Sequence, residues 1–195
     1  MTDTIWLTRH GNRQDFVDPD WAETAARPHD PGLSSDGKEQ ARKLAGRLRK
    51  ERIEHLFASP FLRAVQTAHF VAEALDLPIN LETGLAEWMN VEWFSASPER
   101  LSTRQLAERF PRVDRSYEGG AEPSFPETRQ ETLRRAGRTA RRLADACDGP
   151  LLIVAHGITI SALAAELDPD VNAPEGALCS LHRFRRNDDD DGRLN

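Results

Sequence analysis

The sequence predicts an α/β fold, a three-layer αβα sandwich built on a mostly parallel sheet. Three observations predict it. Short apolar segments of strand length alternate with longer segments of helical periodicity, which is the pattern of a parallel sheet with helices on both faces. One short segment, LLIVA at Leu151–Ala155, is wholly apolar, as a central strand covered on both faces must be. At 195 residues the chain is long enough for one well-buried domain and short for two, so 1–195 reads as a single unit.

The elements follow in order. Thr4–Thr8 alternates as a short strand and ends in Arg9-His10-Gly11. Residues 12–33, rich in Asp, Pro and aromatic side chains, read as a functional loop. Ser35–Arg52 places Ala41, Leu44, Ala45 and Leu48 at helical spacing, and His55–Ala58 is the second strand. Pro60–Leu75 reads as a helix with Ser59 as N-cap and Pro60 at its first position. Ile79–Leu81 is a third strand. Residues 85–126 then break the alternation, with one helix expected at Pro98–Phe110; the stretch reads as an inserted lid or wall. Glu127–Cys147 repeats Leu133, Ala136, Ala140, Leu143 and Ala144 in phase. Its arginines at 134, 135, 138, 141 and 142 are expected on the solvated face, with Glu131 paired to Arg135. The strand LLIVA, a helix after Gly157 and a last strand at Ala177–Phe184 complete the chain.

Composition narrows the function classes. With 38% hydrophobic and 30% charged residues the chain fits a soluble globular protein, and no apolar run approaches bilayer length. MTDTIWL lacks the basic-then-apolar pattern of a signal peptide. The two cysteines, Cys147 and Cys179, read as buried thiols in a reducing cytoplasm. A net charge of −6 argues against non-specific nucleic-acid binding. Much of that acidity is the run Asp188–Asp191, expected as a solvated turn or tail, which leaves the rest near neutral and free to hold an anion pocket.

The chemistry-bearing residues fall at strand ends. His10-Gly11 follows the first strand and His156-Gly157 follows LLIVA. Ligands of parallel α/β sheets bind outside the carboxyl ends of the strands, so parallel neighbours would deliver both imidazoles to one edge. Arg63, in the first turn of a helix, is unfavourable to the helix dipole unless an anion sits nearby. Arg9 offers a second guanidinium fork and Arg13 a third. Two imidazoles and several arginines around one anion suggest phosphoryl transfer, with arginine matching phosphate bidentately and a neutral imidazole as nucleophile. Such a reaction needs a proton donor. Glu87, just past the third strand, is the first candidate, with neighbouring Trp88 expected to desolvate it and raise its pKa; Glu92 is the rival.

In order along the chain, LTRHG, PGLSSDGKEQA, ASPFLRAVQTA, GLAEW and VAHG resemble the motifs of the histidine phosphatase superfamily, also called phosphoglycerate-mutase-like. The resemblance implies that fold, with His10 as the nucleophile that becomes phosphohistidine. It implies that Arg9, Arg63 and His156 hold the phosphate and that Glu87 is the proton donor and later the base. It implies no metal and no cofactor. RHGNR followed by RPHDPGLS, with the later Tyr117 and Pro126-Glu127-Thr128, is most similar to the branch of the UBASH/STS phosphatase domains and insect ecdysteroid-phosphate phosphatases. In that branch an arginine at the position of Arg13 joins the pocket.

The resulting expectation is a phosphomonoesterase acting on a small phosphate ester or a phosphopeptide. A phosphoglycerate-type mutase uses the same residues but favours a longer basic lid, whereas 85–126 carries at least as many acidic as basic side chains. A non-catalytic anion-binding scaffold would lack a catalytic residue, and none is missing. His29 is expected to touch substrate or brace its loop, and Phe16, Trp21, Trp88 and Trp93 to wall an aromatic leaving group or anchor loops.

Overall fold

The computed structural model describes residues 2–120, 122–168, 170 and 176–185. Its sheet has five strands: β1 (Thr4–Arg9), β2 (His55–Ala58), β3 (Asn80–Leu81), β4 (Leu151–Ala155) and β5 (Leu181–Arg185). The order is β3-β2-β4-β1-β5, parallel except for β5, which pairs antiparallel to β1. Six α-helices accompany it among the described residues: α1 (Trp21–Thr24), α2 (Ser35–Leu48), α3 (Leu62–Leu75), α4 (Thr103–Arg109), α5 (Arg129–Ala146) and α6 (Gly157–Leu167). No helix among the described residues is long and apolar enough to cross a membrane.

Alternation along the strands divides the core into two layers. Ile5, Leu7, Leu151, Ile153 and Ala155 face α5 and α6, meeting Ala140, Leu143, Ile160 and Leu163. Trp6, Leu56, Leu152 and Val154 face the other way, onto Leu44 and Leu48 of α2 and the alanine-rich stripe of α3. β4 is buried at every position, because both faces are covered and both neighbours are strands. Each such aliphatic side chain contributes about 1.5–3 kcal/mol of hydrophobic stabilisation.

Several boundaries differ from expectation, each for a local reason. α2 stops at Leu48 because Arg49–Arg52 offers no apolar side chain to bury. α3 begins at Leu62, and Ser59 is not its cap: the serine hydroxyl is engaged by His156 Nε2 at 2.7 Å. The cap comes from the distant loop, where Asp30 Oδ1 accepts the Leu62 N–H at 2.8 Å. α4 starts at Thr103, set by a Ser102–Gln105 capping box rather than by Pro98. β5 starts at Leu181, since Cys179 sits at φ 54° and turns the chain after a single bridge from Leu178 to Arg9. In α5 a Thr128–Glu131 capping box takes Glu131, so Arg135 does not pair with it. Arg135 is instead nearly buried against Glu127, while Arg142 reaches Glu82 and Arg141 reaches Glu166. The run Asp188–Asp191 lies outside the described residues.

Candidate active site

β1 and β4 run parallel with Arg9 opposite Ala155, so the next residue of each strand is a histidine at the same edge. The His10 N–H still pairs with the Ala155 carbonyl at 3.0 Å. The two rings meet edge to face with centroids 5.3 Å apart. Both are buried, His10 at 1% and His156 at 0% exposure.

The tautomer of His10 is set by its own backbone. Its Nδ1 lies 2.7 Å from the Gly11 carbonyl, which can only accept, so Nδ1 carries the proton and Nε2 keeps its lone pair. Arg63 Nε donates to that Nε2 at 3.3 Å. Burial, then the charges of Arg63 and His156, hold the His10 pKa well below its ordinary value, so the ring is neutral at neutral pH. Gly11 donates its N–H to Thr67 Oγ1 at 3.1 Å, and Thr67 is anchored on the Arg63 carbonyl at 2.8 Å. The glycine is required by close approach: a Cβ there would lie 2.6 Å from the Gly37 carbonyl oxygen of α2.

Arg63 occupies the first turn of α3 at 1% exposure. Besides His10 it donates from Nη2 to Glu87 Oε2 at 3.1 Å, and its Nη1 is buried without a partner. A buried guanidinium donor beside a helix start can donate to an oxyanion. His156 Nδ1 lies 3.2 Å from Glu87 Oε2, too poorly aligned for a hydrogen bond but close in charge. Burial and then Arg63 bring the His156 pKa down to about 4, against the opposing pull of Glu87.

Glu87 is brought into the same cluster, with Oε1 accepting the Trp88 N–H at 3.1 Å. Its pKa runs opposite to expectation. Burial does push it up, but His156, Arg63 and His10 outweigh burial and hold it well below the usual carboxylate range. Trp88 is not the controlling neighbour; its indole N–H donates to the Glu127 carbonyl at 2.7 Å. The rival, Glu92, is exposed and lines no part of the adjoining cavity.

The remaining arginines are less committed to the centre. Arg9 donates to the Gly176 carbonyl at 3.2 Å and rests against Gly157, with its Nε buried and unpartnered. Arg13 forks onto Asp15, with Nε to Oδ1 at 2.9 Å, and stacks 4.2 Å over Phe16. It nevertheless lines a cavity of about 230 Å³ shared with Arg63 and Glu87. Trp21, Trp93, Phe94 and His29 supply that cavity's aromatic wall, and His29 packs edge to face on Phe94 at 5.3 Å. Trp88 stacks on Trp93 from outside the lining, and Phe16 serves Arg13.

His10, Glu87 and His156 also place three ligand atoms within 4.8 Å of one another, a grouping that linear spacing did not reveal. Arg63 already donates to both His10 Nε2 and Glu87 Oε2, the lone pairs a divalent ion would need, and its cation repels one. Asp30 is the residue sequence reasoning missed. It caps α3 and feels the charges of Arg63, Arg100 and Arg27, yet nothing in RPHDP marks it apart from an ordinary loop acid.

Fold and site together define an α/β protein with two histidines and arginines gathered at the carboxyl edge of its sheet. The chain belongs to the histidine phosphatase superfamily (branch 1), whose family model matches residues 5–191. It is 34% identical over 155 residues to the human ubiquitin-associated and SH3 domain-containing protein A, covering 71% of this chain and 23% of that protein. It is 27% identical over 201 residues to the ecdysteroid-phosphate phosphatase of Drosophila melanogaster, covering 84% of this chain and 26% of that one. The chain thus spans about a quarter of the length of these two relatives. Among solved structures, the ecdysone phosphate phosphatase of Bombyx mori in complex with tungstate superposes with a TM-score of 0.82 at 22% identity. That match covers 94% of this chain and 89% of the other, and it shows the shared phosphoglycerate-mutase-like fold.

Proposed function

We propose that the chain is a phosphomonoesterase working through a phosphohistidine on His10, with Glu87 as proton donor. The observation that carries this reading is the His10 tautomer: a buried, neutral ring whose unprotonated Nε2 accepts from the Arg63 guanidinium. Arg63, through its unpartnered Nη1, and His156 hold the phosphoryl oxygens; Arg9 and Arg13 complete the clamp.

Nε2 attacks phosphorus, the phosphorus–ester oxygen bond breaks, and Glu87 gives the leaving oxygen its proton. Water then attacks the phosphohistidine, Glu87 takes the water's proton, the P–N bond breaks and inorganic phosphate leaves. At neutral pH Glu87 is ionised. An incoming phosphate offsets the Arg63 charge, one of the influences that hold the Glu87 pKa down, and adds negative charge beside the carboxylate, so its pKa rises. The sequence of steps calls on no metal or cofactor. The cavity behind Glu87, walled by Trp21, Trp93 and Phe94, suits a flat apolar leaving group on a small ester or a phosphopeptide. Residues 85–126 contribute Glu87, Trp93 and Phe94 to it and act as the site's wall. The free thiols Cys147 and Cys179 support a reducing cytoplasmic setting.

The test is phosphate release from p-nitrophenyl phosphate, sugar phosphates, nucleotides and phosphotyrosine peptides, with isomerisation of 3-phosphoglycerate measured alongside. His10→Ala is expected to lower release by roughly three orders of magnitude or more. Phosphate trapped on the wild-type chain is expected to be acid-labile and base-stable. Full activity in His10→Ala would overturn the mechanism, and isomerisation outrunning release would make the chain a mutase.

A further inference from the structure

The segment that carries Glu87 has only the short turn Thr83–Leu85 for regular structure, so no ladder of strand bonds fixes it. Three of its carbonyls converge on one side chain instead. Arg135 of α5 donates from Nη1 to Gly84 O at 2.9 Å and to Ala86 O at 3.1 Å, and from Nη2 to Glu87 O at 3.3 Å. The fork is itself braced by Glu127, with Nε to Oε1 and Nη2 to Oε2 both at 2.8 Å. Glu127 is locked in turn: Thr132 Oγ1 donates to Oε2 at 2.8 Å, and its backbone N–H donates to Met89 O at 2.9 Å. The two charged side chains are only 10% and 3% exposed.

A buried ion pair adds little net stability over a well-packed apolar pair of the same volume. What it supplies here is placement, since the planar fork satisfies three carbonyls and a carboxylate at once. We propose that Arg135, braced by Glu127, is the positioning residue for the proton donor. It rests on the reading of Glu87 as that donor. The Glu87 carboxylate is held at rest partly by Arg63. A bound phosphate draws Arg63 to itself, so the backbone anchor is what then keeps the carboxyl within hydrogen-bond reach of the leaving oxygen. Misplacement of a reacting group by about 1 Å can cost ~10²-fold.

The experiment is a double-mutant cycle between Arg135→Lys and Glu87→Gln, read with an alkyl phosphate and with p-nitrophenyl phosphate. Lysine keeps the charge but cannot fork over three carbonyls. Arg135→Lys is expected to lower kcat for the alkyl ester about tenfold, part of the ~10²–10⁴ a general acid contributes, with p-nitrophenyl phosphate within about threefold. KM is expected to hold for both. In the Glu87→Gln background the Arg135→Lys effect is expected to vanish, since one residue acts through the other. Equal loss for both esters, or the same loss in both backgrounds, would make Arg135 a structural residue and overturn the proposal while leaving Glu87 as the donor. If Glu87→Gln itself costs both esters equally, the donor reading fails and takes this proposal with it. Should Arg135→Lys not fold, Glu127→Gln removes the brace while keeping its shape, and the same outcomes decide.

Discussion

At the residue scale, the site works by controlling which atoms are charged. The Gly11 carbonyl fixes the His10 tautomer, and burial keeps the ring neutral. Protonation would remove the Nε2 lone pair, so a lowered pKa keeps the proposed nucleophile available to lower pH. We expect kcat/KM, corrected for the substrate's own second ionisation, to show no fall centred near pH 6.5 as the pH is lowered. A fall centred near 6.5 would show that His10 charges like an exposed imidazole. Glu87 plays the opposite part: its carboxylate is ionised at neutral pH, and the proposed transfer calls for its protonated form. Glu87→Gln is expected to slow alkyl phosphates by ~10²–10⁴ and p-nitrophenyl phosphate far less, because a good leaving group needs little protonation. Equal losses would place the proton elsewhere. The residue types of this centre were legible in the sequence because each sits at a strand end or in a helix's first turn, positions with local signatures. The Glu87 pKa was not, since its sign depends on three ionisable side chains, at the ends of β1 and β4 and the start of α3, converging in space.

At the element scale, helix starts position the chemistry. α3 presents Arg63 because Asp30, 32 residues earlier, caps it, and no local pattern announces a cap supplied across such a distance. Likewise, helical periodicity sends every arginine of α5 to solvent, whereas Arg135 finds its partners on other segments. α2 shows how closely such a helix can approach the nucleophile. Ser34 caps it by accepting the Gly37 N–H at 3.2 Å, and the Ser34 hydroxyl donates to Asn12 O at 3.2 Å, two residues past His10. A Cβ on Gly37 would collide with the Asn12 backbone, while one on Gly46 of the same helix would meet nothing within 4 Å. Gly37→Ala is therefore expected to destabilise by ~1–3 kcal/mol, through overpacking against rigid backbone. That corresponds to a drop of roughly 3–10 °C in Tm for a chain of this size, with a fall in kcat as the nucleophile loop shifts. Gly46→Ala is expected to stabilise by about 0.5–1 kcal/mol and leave kcat alone. Thermal melts of the two variants decide, and a matching sign in both would refute the packing argument.

At the scale of the whole molecule, the strand order puts β4 between β1 and β2, so His156 arrives beside both His10 and Ser59. That order was legible only as far as the apolar LLIVA marks a central strand; which neighbours it takes depends on packing two helical layers. The consequence is that two imidazoles are buried uncharged in the middle of the domain, and this makes global stability depend on pH. The unfolded chain protonates His156 below about pH 6.5. The folded chain resists until about 4. Between those values the unfolded state binds more protons, so each step down in pH favours unfolding by up to ~1.4 kcal/mol per pH unit for this group. The stabilisation is complete above 6.5 and lost by about 4, on the order of 3 kcal/mol in all. His10, also held low, acts in the same direction. Glu87 adds its own loss at lower pH still, as the fall passes through its depressed folded value. Urea midpoints for the wild type are therefore expected to drop between pH 7 and pH 5. His156→Gln, which keeps an amide opposite Ser59 but cannot take up a proton, is expected to drop less. An identical drop in both would mean that other groups, and not the buried imidazole between β1 and β2, set the acid sensitivity of this fold.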